Sequence, residues 1–509
     1  MVNVAGPMWK NALDRPEAIA IRAQGEEWSY GRLKDSVAAF AGALRAAGID
    51  SRDRVLLVAP SVPEFVVAYL GAHLVGAIVI TMNTMATGAE IGYVLDDSTA
   101  RLVIAWHEAT TSAETATRER GLPLWVLEPG AQRDRTEPLS EPVDLAPDDV
   151  AVLLYTSGTT GKPKGVELTI ANLHAASTIL IDYLGVTSEE RMGTALPLFH
   201  VFGQSVVMNT ALHLGASLSL LSRFDPGRML EMVRADEITL MSGVPTMWNA
   251  MLHAGGDFGP EQFGSLRMAS SGGASLPGEV IRAFRARFGC EIMEGYGLTE
   301  SSGIATFNPV GKDPRVGSVG RPLPGMRIEV RDASGSVLAP GEVGELYLSG
   351  PTIMRGYWNR PEATASDLRD GWLATGDLGK VDDDGYVYII DRAKDMIIRG
   401  GYNVYPREVE EVLYGHPDIV EAAVIGVPDE HYGEEVAAVI ALAPGAEPTP
   451  DELRSWAKEQ LSAYKVPHLF AFVDQLPKGA TGKILKRAID WKSLPGLNDP
   501  ADRGAVARR

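Results

Sequence analysis

The densest chemistry in the chain lies in Tyr155 to Gly165, YTSGTTGKPKG, directly after the apolar run Val150 to Leu154. Glycines let a backbone approach an anion closely, and amides with Ser and Thr hydroxyls donate to phosphate oxygens. Lys162 and Lys164 add positive charge. The familiar phosphate loop needs a glycine, four residues, then Gly-Lys-Ser/Thr, and this spacing does not fit it, so a Walker-type NTPase is disfavoured. GYGLTE, 295–300, begins like a dinucleotide fingerprint but lacks the third glycine.

These residues need elements to hold them. Leu33, Val37, Phe40 and Leu44 recur at helical spacing and Gly48 follows as a C-terminal cap. Arg54 to Ala59 then reads as a buried strand, Ser61 and Glu64 as a capping box around Pro63, and Ile78 to Met82 as the next strand. Such repetition predicts a largely parallel sheet covered by helices on both faces. The polar stretch Glu128 to Asp149 reads as a surface connection. Near Lys394 the pattern changes. After a strand at Gly385 to Ile390 comes a compact αβ unit with a helix from Arg407, strands near Ala422 and Val436, a helix from Asp451 and a basic segment. The expected fold is α/β: a large N-terminal domain of parallel-rich sheets over residues 1–393, a smaller mobile α+β lid over 394–495, and a flexible tail over 496–509.

Composition narrows the function. A net charge of −19 argues against a nucleic-acid partner, which needs clustered basic residues. It leaves room for a nucleotide held at a local positive site. The single Cys290 rules out a disulfide framework or a cysteine zinc site within the chain and is read as structural. The N-terminus lacks the basic and apolar regions of a signal peptide, and Phe65 to Ile80 is short for a membrane span, so a cytoplasmic protein without integral membrane association is expected.

Further blocks follow the loop in order: PLFHVFG at 197–203, SGGASLP at 271–277, EGYGLTE at 294–300, GELYLSG at 344–350, WLATGD at 372–377, DRAKDMIIRGGYNVYPREVE at 391–410 and LPKGATGKILKR at 476–487. With the loop, these resemble the adenylate-forming superfamily of acyl-coenzyme A synthetases, peptide-synthetase adenylation domains and firefly-type luciferases, across nearly the whole chain. The resemblance implies two half-reactions. A carboxylate attacks the α-phosphate of ATP and expels pyrophosphate; a thiol then attacks the acyl-adenylate and expels AMP. Neither half needs a protein nucleophile, so the protein's task is positioning and charge neutralisation.

By resemblance, Thr156, Ser157, Gly158, Thr159, Thr160 and Lys164 hold the triphosphate, Gly273 and Ala274 lie against adenine, and Glu294, Gly295 and Tyr296 complete the AMP site. Thr299 contacts the α-phosphate, and Glu300 is the Mg²⁺ ligand, with Thr159 beside it; Mg²⁺ favours hard oxygen donors. Asp377 would accept both ribose hydroxyls, with Arg392 as the second ribose contact. Lys483 would reach from the lid to the α-phosphate and the carboxylate, a fitting place for a mobile ammonium. Lys394 falls at the family's hinge, and Gly400 and Gly401 would present a narrow path to the pantetheine arm after the lid rotates. Many relatives carry a lysine where this chain has Ile398, so that AMP contact is not carried over.

His200 would flank the acyl site and the thiol tunnel, with Phe202, Val207 and Gly297 in the acyl pocket; Val206, Met208, Val244, Met247 and Trp248 also resemble pocket walls. No acid lies between His200 and Leu221 to hold an amino group, and no arginine to pair a second carboxylate. The expected substrate is an uncharged hydrophobic acid: fatty, aryl or polycyclic. The double glycine and PLFHVF favour coenzyme A as acceptor. The alternatives are a ligase that loads a carrier protein or stops at the adenylate, and, more remotely, a catalytically silent nucleotide-binding homologue. Oligomeric state is not legible, though dimers are common among relatives.

Overall fold

The computed structural model describes residues 2–130, 137–156, 162–392, 394–429 and 431–497. Two large sheets form the body. One has seven strands, and its central strands Arg54–Val58, Ile78–Met82, Leu102–Trp106, Leu124–Leu127 and Val150–Thr156 run parallel. Except for the edge strand Leu124–Leu127, where Val126 is exposed, these are short, largely Val, Ile and Leu runs buried on both faces, as helix-covered parallel strands must be. The second sheet has nine strands, with a parallel centre that includes Arg191–Thr194, Leu240–Gly243, Met268–Ser271 and Ile292–Tyr296. Both sheets leave their carboxyl ends facing loops that carry the sequence blocks above, the usual place for a ligand in α/β sheets.

A third sheet is antiparallel, built on Arg327–Arg331, Gly344–Ser349, Trp372–Val381 and Val387–Arg392. The expectation of parallel sheets did not include it. Its last two strands are joined by the tight turn Asp382–Gly385, too short for a crossover helix, which enforces their antiparallel pairing. From Ile397 onward the strands belong to a separate five-stranded sheet with its own core of Val404, Val409, Leu413, Val424, Val436 and Ile440. Helices Pro406–Tyr414 and Pro450–Lys458 belong to this unit.

The capping box read at Ser61 and Glu64 is not formed. The helix Pro63–Leu74 is preceded by Val62, without a side-chain cap. Ser61 Oγ instead donates to Leu196 O at 3.2 Å and accepts from Leu198 N at 3.0 Å. It pins the segment that leads to His200 from 135 residues away in sequence. Among the described residues, no helix is long and apolar enough to cross a membrane.

Candidate active site

The described flanks of the Tyr155–Gly165 loop are rigidly braced. Strand Val150–Thr156 pairs with Lys164–Thr169, closing on Thr156 opposite Lys164. Tyr93 donates its hydroxyl to Pro163 O at 2.7 Å, Tyr155 donates to Asp97 Oδ2 at 2.8 Å, and Trp358 N reaches Gly165 O at 2.8 Å. Ser157, Gly158, Thr159 and Thr160 lie outside the described residues.

The two lysines of the loop differ. Lys162 is exposed. Lys164 is largely covered: its Nζ lies 3.0 Å from Asp367 Oδ2 and 3.9 Å from the centre of the Tyr357 ring. The Tyr357 hydroxyl donates to Glu300 Oε1 at 3.1 Å. Burial raises the Glu300 carboxyl above its ordinary range, while Tyr357 and the Lys164 charge pull it back down. Lys164, Tyr357, Asp367 and Glu300 thus form one cluster. Tyr357 and Asp367 carried no sequence signal for this role. Glu300 offers a hard, desolvated oxygen donor of the kind Mg²⁺ takes, held by a neutral hydroxyl rather than consumed by an ion pair, so the residues present fit that ion.

EGYGLTE folds as strand Ile292–Tyr296, a short turn, and a return strand. Ala305 N bonds to Tyr296 O, and Asn308 N to Glu294 O. Thr299 and Glu300 open the 3₁₀ turn Thr299–Ser301, tied by Leu298 N to Ser301 Oγ at 2.9 Å. Gly297 has a geometric reason: a Cβ there would fall 2.4 Å from the Gly303 and Ile304 backbone. A Cβ at Gly295 would fall 2.7 Å from the Phe307 ring. Glu294 is buried, and its carboxylate accepts from Leu276 N at 3.1 Å, holding the turn that contains Gly273 and Ala274. Burial pushes its pKa up to about 7.

The ribose-binding candidates converge. Asp377 is 5% exposed, and its Oδ2 accepts from the Tyr296 hydroxyl at 2.6 Å. Arg392 Nε lies 3.5 Å from Asp377 Oδ1, on the adjoining strand where Asp377 and Arg392 are direct partners. Lys483 enters the same space from the lid. A Cβ on Gly273 would fall 2.6 Å from Lys483 Cε and 3.1 Å from Nζ, so Gly273, with φ +83°, leaves the groove in which the lysine stem lies. Burial, then repulsion from Arg392, lowers the Lys483 pKa to about 8, against the attraction of Asp377. The lid loop carrying Lys483 is pinned by Gly479 N to Lys483 O at 2.8 Å.

His200 is on the same side. Phe202 N donates to His200 Nδ1 at 3.3 Å, which leaves Nε2 carrying the proton. Burial, with the charge of Lys483 adding to it, lowers the ring pKa to about 3, so the imidazole is neutral at ordinary pH. His200 can therefore donate from Nε2, but its Nδ1 is not a free base. Beyond it, Phe202 opens a π-helix, Phe202–Asn209. The Phe202 ring lies against Gly272, where a Cβ would fall 3.2 Å from Cε1, and Val206 lies against Gly303. Phe202 and Val206 are partly exposed, whereas Val207 and Met208 are fully buried. Trp248 is fully buried, edge-on to Phe284 at 5.4 Å.

The lid residues assigned to the second half-reaction stand elsewhere. Lys394 is exposed in a turn. Gly400 and Gly401, at φ +57° and +86°, form the exposed tip between strands Ile397–Arg399 and Tyr402–Val404, with Gly400 N bonded to Tyr432 O within the lid. Lys483, not the glycine pair, faces Asp377 and Arg392 in this arrangement.

Comparison with known proteins agrees with this geometry. The model of the AMP-binding enzyme family matches residues 8–358, and that of the AMP-binding enzyme C-terminal domain matches 408–483. A feruloyl-CoA synthase of Amycolatopsis sp. is 40% identical over 474 residues, 92% of this chain and 95% of that protein. A long-chain-fatty-acid–CoA ligase of Bacillus subtilis (strain 168) is 36% identical, over 93% and 91% respectively. Among solved structures, ATP-bound MatB from Rhodopseudomonas palustris has a TM-score of 0.88 at 34% identity, covering 95% of this chain and 98% of that one. A benzoate CoA ligase from Burkholderia xenovorans LB400 has a TM-score of 0.89 at 31% identity, covering 96% and 99%. The chain belongs to the AMP-binding enzyme family, the adenylate-forming superfamily that includes the acyl-coenzyme A synthetases.

Proposed function

We propose that the protein is an ATP-dependent acyl-coenzyme A ligase, converting an acid and ATP to acyl-adenylate and pyrophosphate, then coenzyme A and the adenylate to thioester and AMP. The observation that carries this reading is the meeting of lid residue Lys483 with Asp377, Arg392 and Gly273 of the large domain. A cation delivered by a separate lid onto a nucleotide site suits charge that builds between a carboxylate and a phosphate.

Asp377 takes the ribose hydroxyls, with Tyr296 and Arg392 fixing its carboxylate. Gly273 and Ala274 pass adenine on the turn that Glu294 holds. Thr156 and the loop up to Lys164 hold the triphosphate. Glu300 with Thr159 would hold Mg²⁺, which when bound neutralises triphosphate charge. Lys483 and Thr299 hold the attacked α-phosphate, and His200 donates from Nε2 toward the acid's carboxylate. The lid then turns at Lys394, withdrawing Lys483 and bringing Gly400 and Gly401 to the thiol path.

The acid is uncharged and hydrophobic. Phe202 and Val206 supply an apolar wall, and no charged side chain lies from Val201 to Leu221. The feruloyl-CoA synthase relative supports aromatic acids ahead of long-chain fatty acids. The test is incubation with ATP, magnesium, coenzyme A and a panel of ferulic, benzoic, medium-chain and long-chain acids. Thioester should appear by mass spectrometry with an aromatic member. Acid-dependent pyrophosphate release with no thioester on any acid would replace this reading with a carrier-protein ligase or an adenylate-only enzyme.

A further inference from the structure

Besides the bonds that Arg407 makes to Ile389 O and Asp391 next to the hinge, three polar contacts among the described residues tie the lid to the large domain in the arrangement that delivers Lys483. Thr246 Oγ1 donates to Gly482 O at 2.9 Å, immediately before Lys483. Asn249 Nδ2 donates to Val420 O, also at 2.9 Å. Thr246 and Asn249 lie three residues apart on helix Pro245–His253, hence on one face of it. The third contact comes from a different helix: Gly278 N, at the start of Gly278–Phe288, donates to Glu411 Oε1 at 2.9 Å. That amide has no partner within its own helix, so Glu411 satisfies a donor left over by helix geometry.

We propose that Thr246, Asn249 and Glu411 form a latch that holds the lid only for the adenylate-forming half-reaction, with Thr246 acting as a positioning residue for Lys483. The proposal rests on the two-step ligase reading above. The three acceptors, Gly482 O, Val420 O and the Glu411 carboxylate, sit on a loop, a strand and a helix of the lid. A rigid rotation about Lys394 cannot keep all three in register with two helices of the large domain. Whatever these bonds contribute is therefore present in one arrangement and absent in the other, which is the requirement for a bias between two states. Gly482 reinforces this reading. At φ +80° it lets the loop turn its carbonyl onto Thr246, and a Cβ there would fall 3.3 Å from Thr246 Oγ1. None of the three side chains is assigned a contact with ATP, acid or thiol.

Each bond removed shifts the balance between arrangements by about 3- to 10-fold, the range of a single solvent-competed hydrogen bond. The experiment compares the full-length protein with Asn249→Ala/Glu411→Ala and, separately, the near-isosteric Thr246→Val. Hydrogen exchange of unliganded protein, followed over segments 244–250 and 478–484, needs no substrate. Exchange in both segments should rise several-fold in the double variant, with the lid core around Val436 and Ile440 unchanged. The half-reactions are then measured apart, with whichever panel acid the wild type adenylates. ATP–pyrophosphate exchange should fall about 10-fold, while thioester formation from preformed acyl-adenylate keeps its wild-type rate. Unchanged exchange in the interface segments, or equal loss in both half-reactions, would overturn the latch. Absence of acid-dependent ATP–pyrophosphate exchange in the wild type would instead overturn the ligase reading.

Discussion

The Tyr296 hydroxyl stands 2.6 Å from Asp377 Oδ2 and donates to it, so the carboxylate proposed to grip the ribose is oriented before any nucleotide arrives. Burial raises the Asp377 pKa, and Arg392 and Tyr296 oppose that rise. Tyr296→Phe removes one donor from a buried carboxylate, a loss of about 1.5 kcal/mol, or roughly 10-fold. The KM for ATP should rise by that factor, with kcat much less changed. Steady-state kinetics with ATP as the varied substrate checks it.

Lys483 gives the adenylation step an alkaline limb. Its charged form is the one that meets phosphate, and its pKa is about 8. The ammonium is therefore nearly complete at pH 7, half present near pH 8, and falls about tenfold per unit beyond that. The kcat/KM for adenylation should decline above pH 8. His200, with its pKa lowered to about 3, contributes no limb between pH 5 and 9. In Lys483→Arg the residual activity should lose the alkaline limb, since guanidinium stays charged. A pH profile of ATP–pyrophosphate exchange reads both.

Glu294 is a stability element with a defined pH window. Its folded pKa is about 7, above the unfolded value of about 4.3. The folded state thus holds a proton that the unfolded state has lost, so stability falls as pH rises from about 4 to 7 and stays lower above that. Glu294→Gln keeps an oxygen for Leu276 N without the charge. It should gain about 1–3 kcal/mol at pH 8, a few degrees in Tm, and nothing near pH 4. Thermal melts at both pH values test the sign.

Tyr357 is expected to matter through Glu300. Tyr357→Phe leaves the ring over Lys164 but removes the hydroxyl 3.1 Å from Glu300 Oε1. The magnesium concentration for half-maximal adenylation should rise several-fold, with near-normal rates at saturating magnesium. Calorimetric titration of ATP with and without magnesium should show the loss only when magnesium is present.

What was legible in the sequence follows from the range of the interactions involved. Strands Arg54–Val58 and Ile78–Met82 were readable because burial on both faces writes itself as consecutive Val, Ile and Leu. A change of pattern near Lys394 falls where the strands of a separate five-stranded sheet begin. Ser61 was misread because a local cap and a contact with residue 196 look identical in one sequence. Tyr357, Asp367, Thr246 and Asn249 were missed because each acts on a residue at least 57 positions away, which spacing cannot reveal.

The central claim is a division of labour between two faces of the lid, and Lys483→Ala with separated half-reactions tests it most directly. With an acid the wild type accepts, adenylation should fall by at least 100-fold, while thioester formation from supplied acyl-adenylate stays within a few-fold of wild type. Equal loss in the two half-reactions would contradict the account.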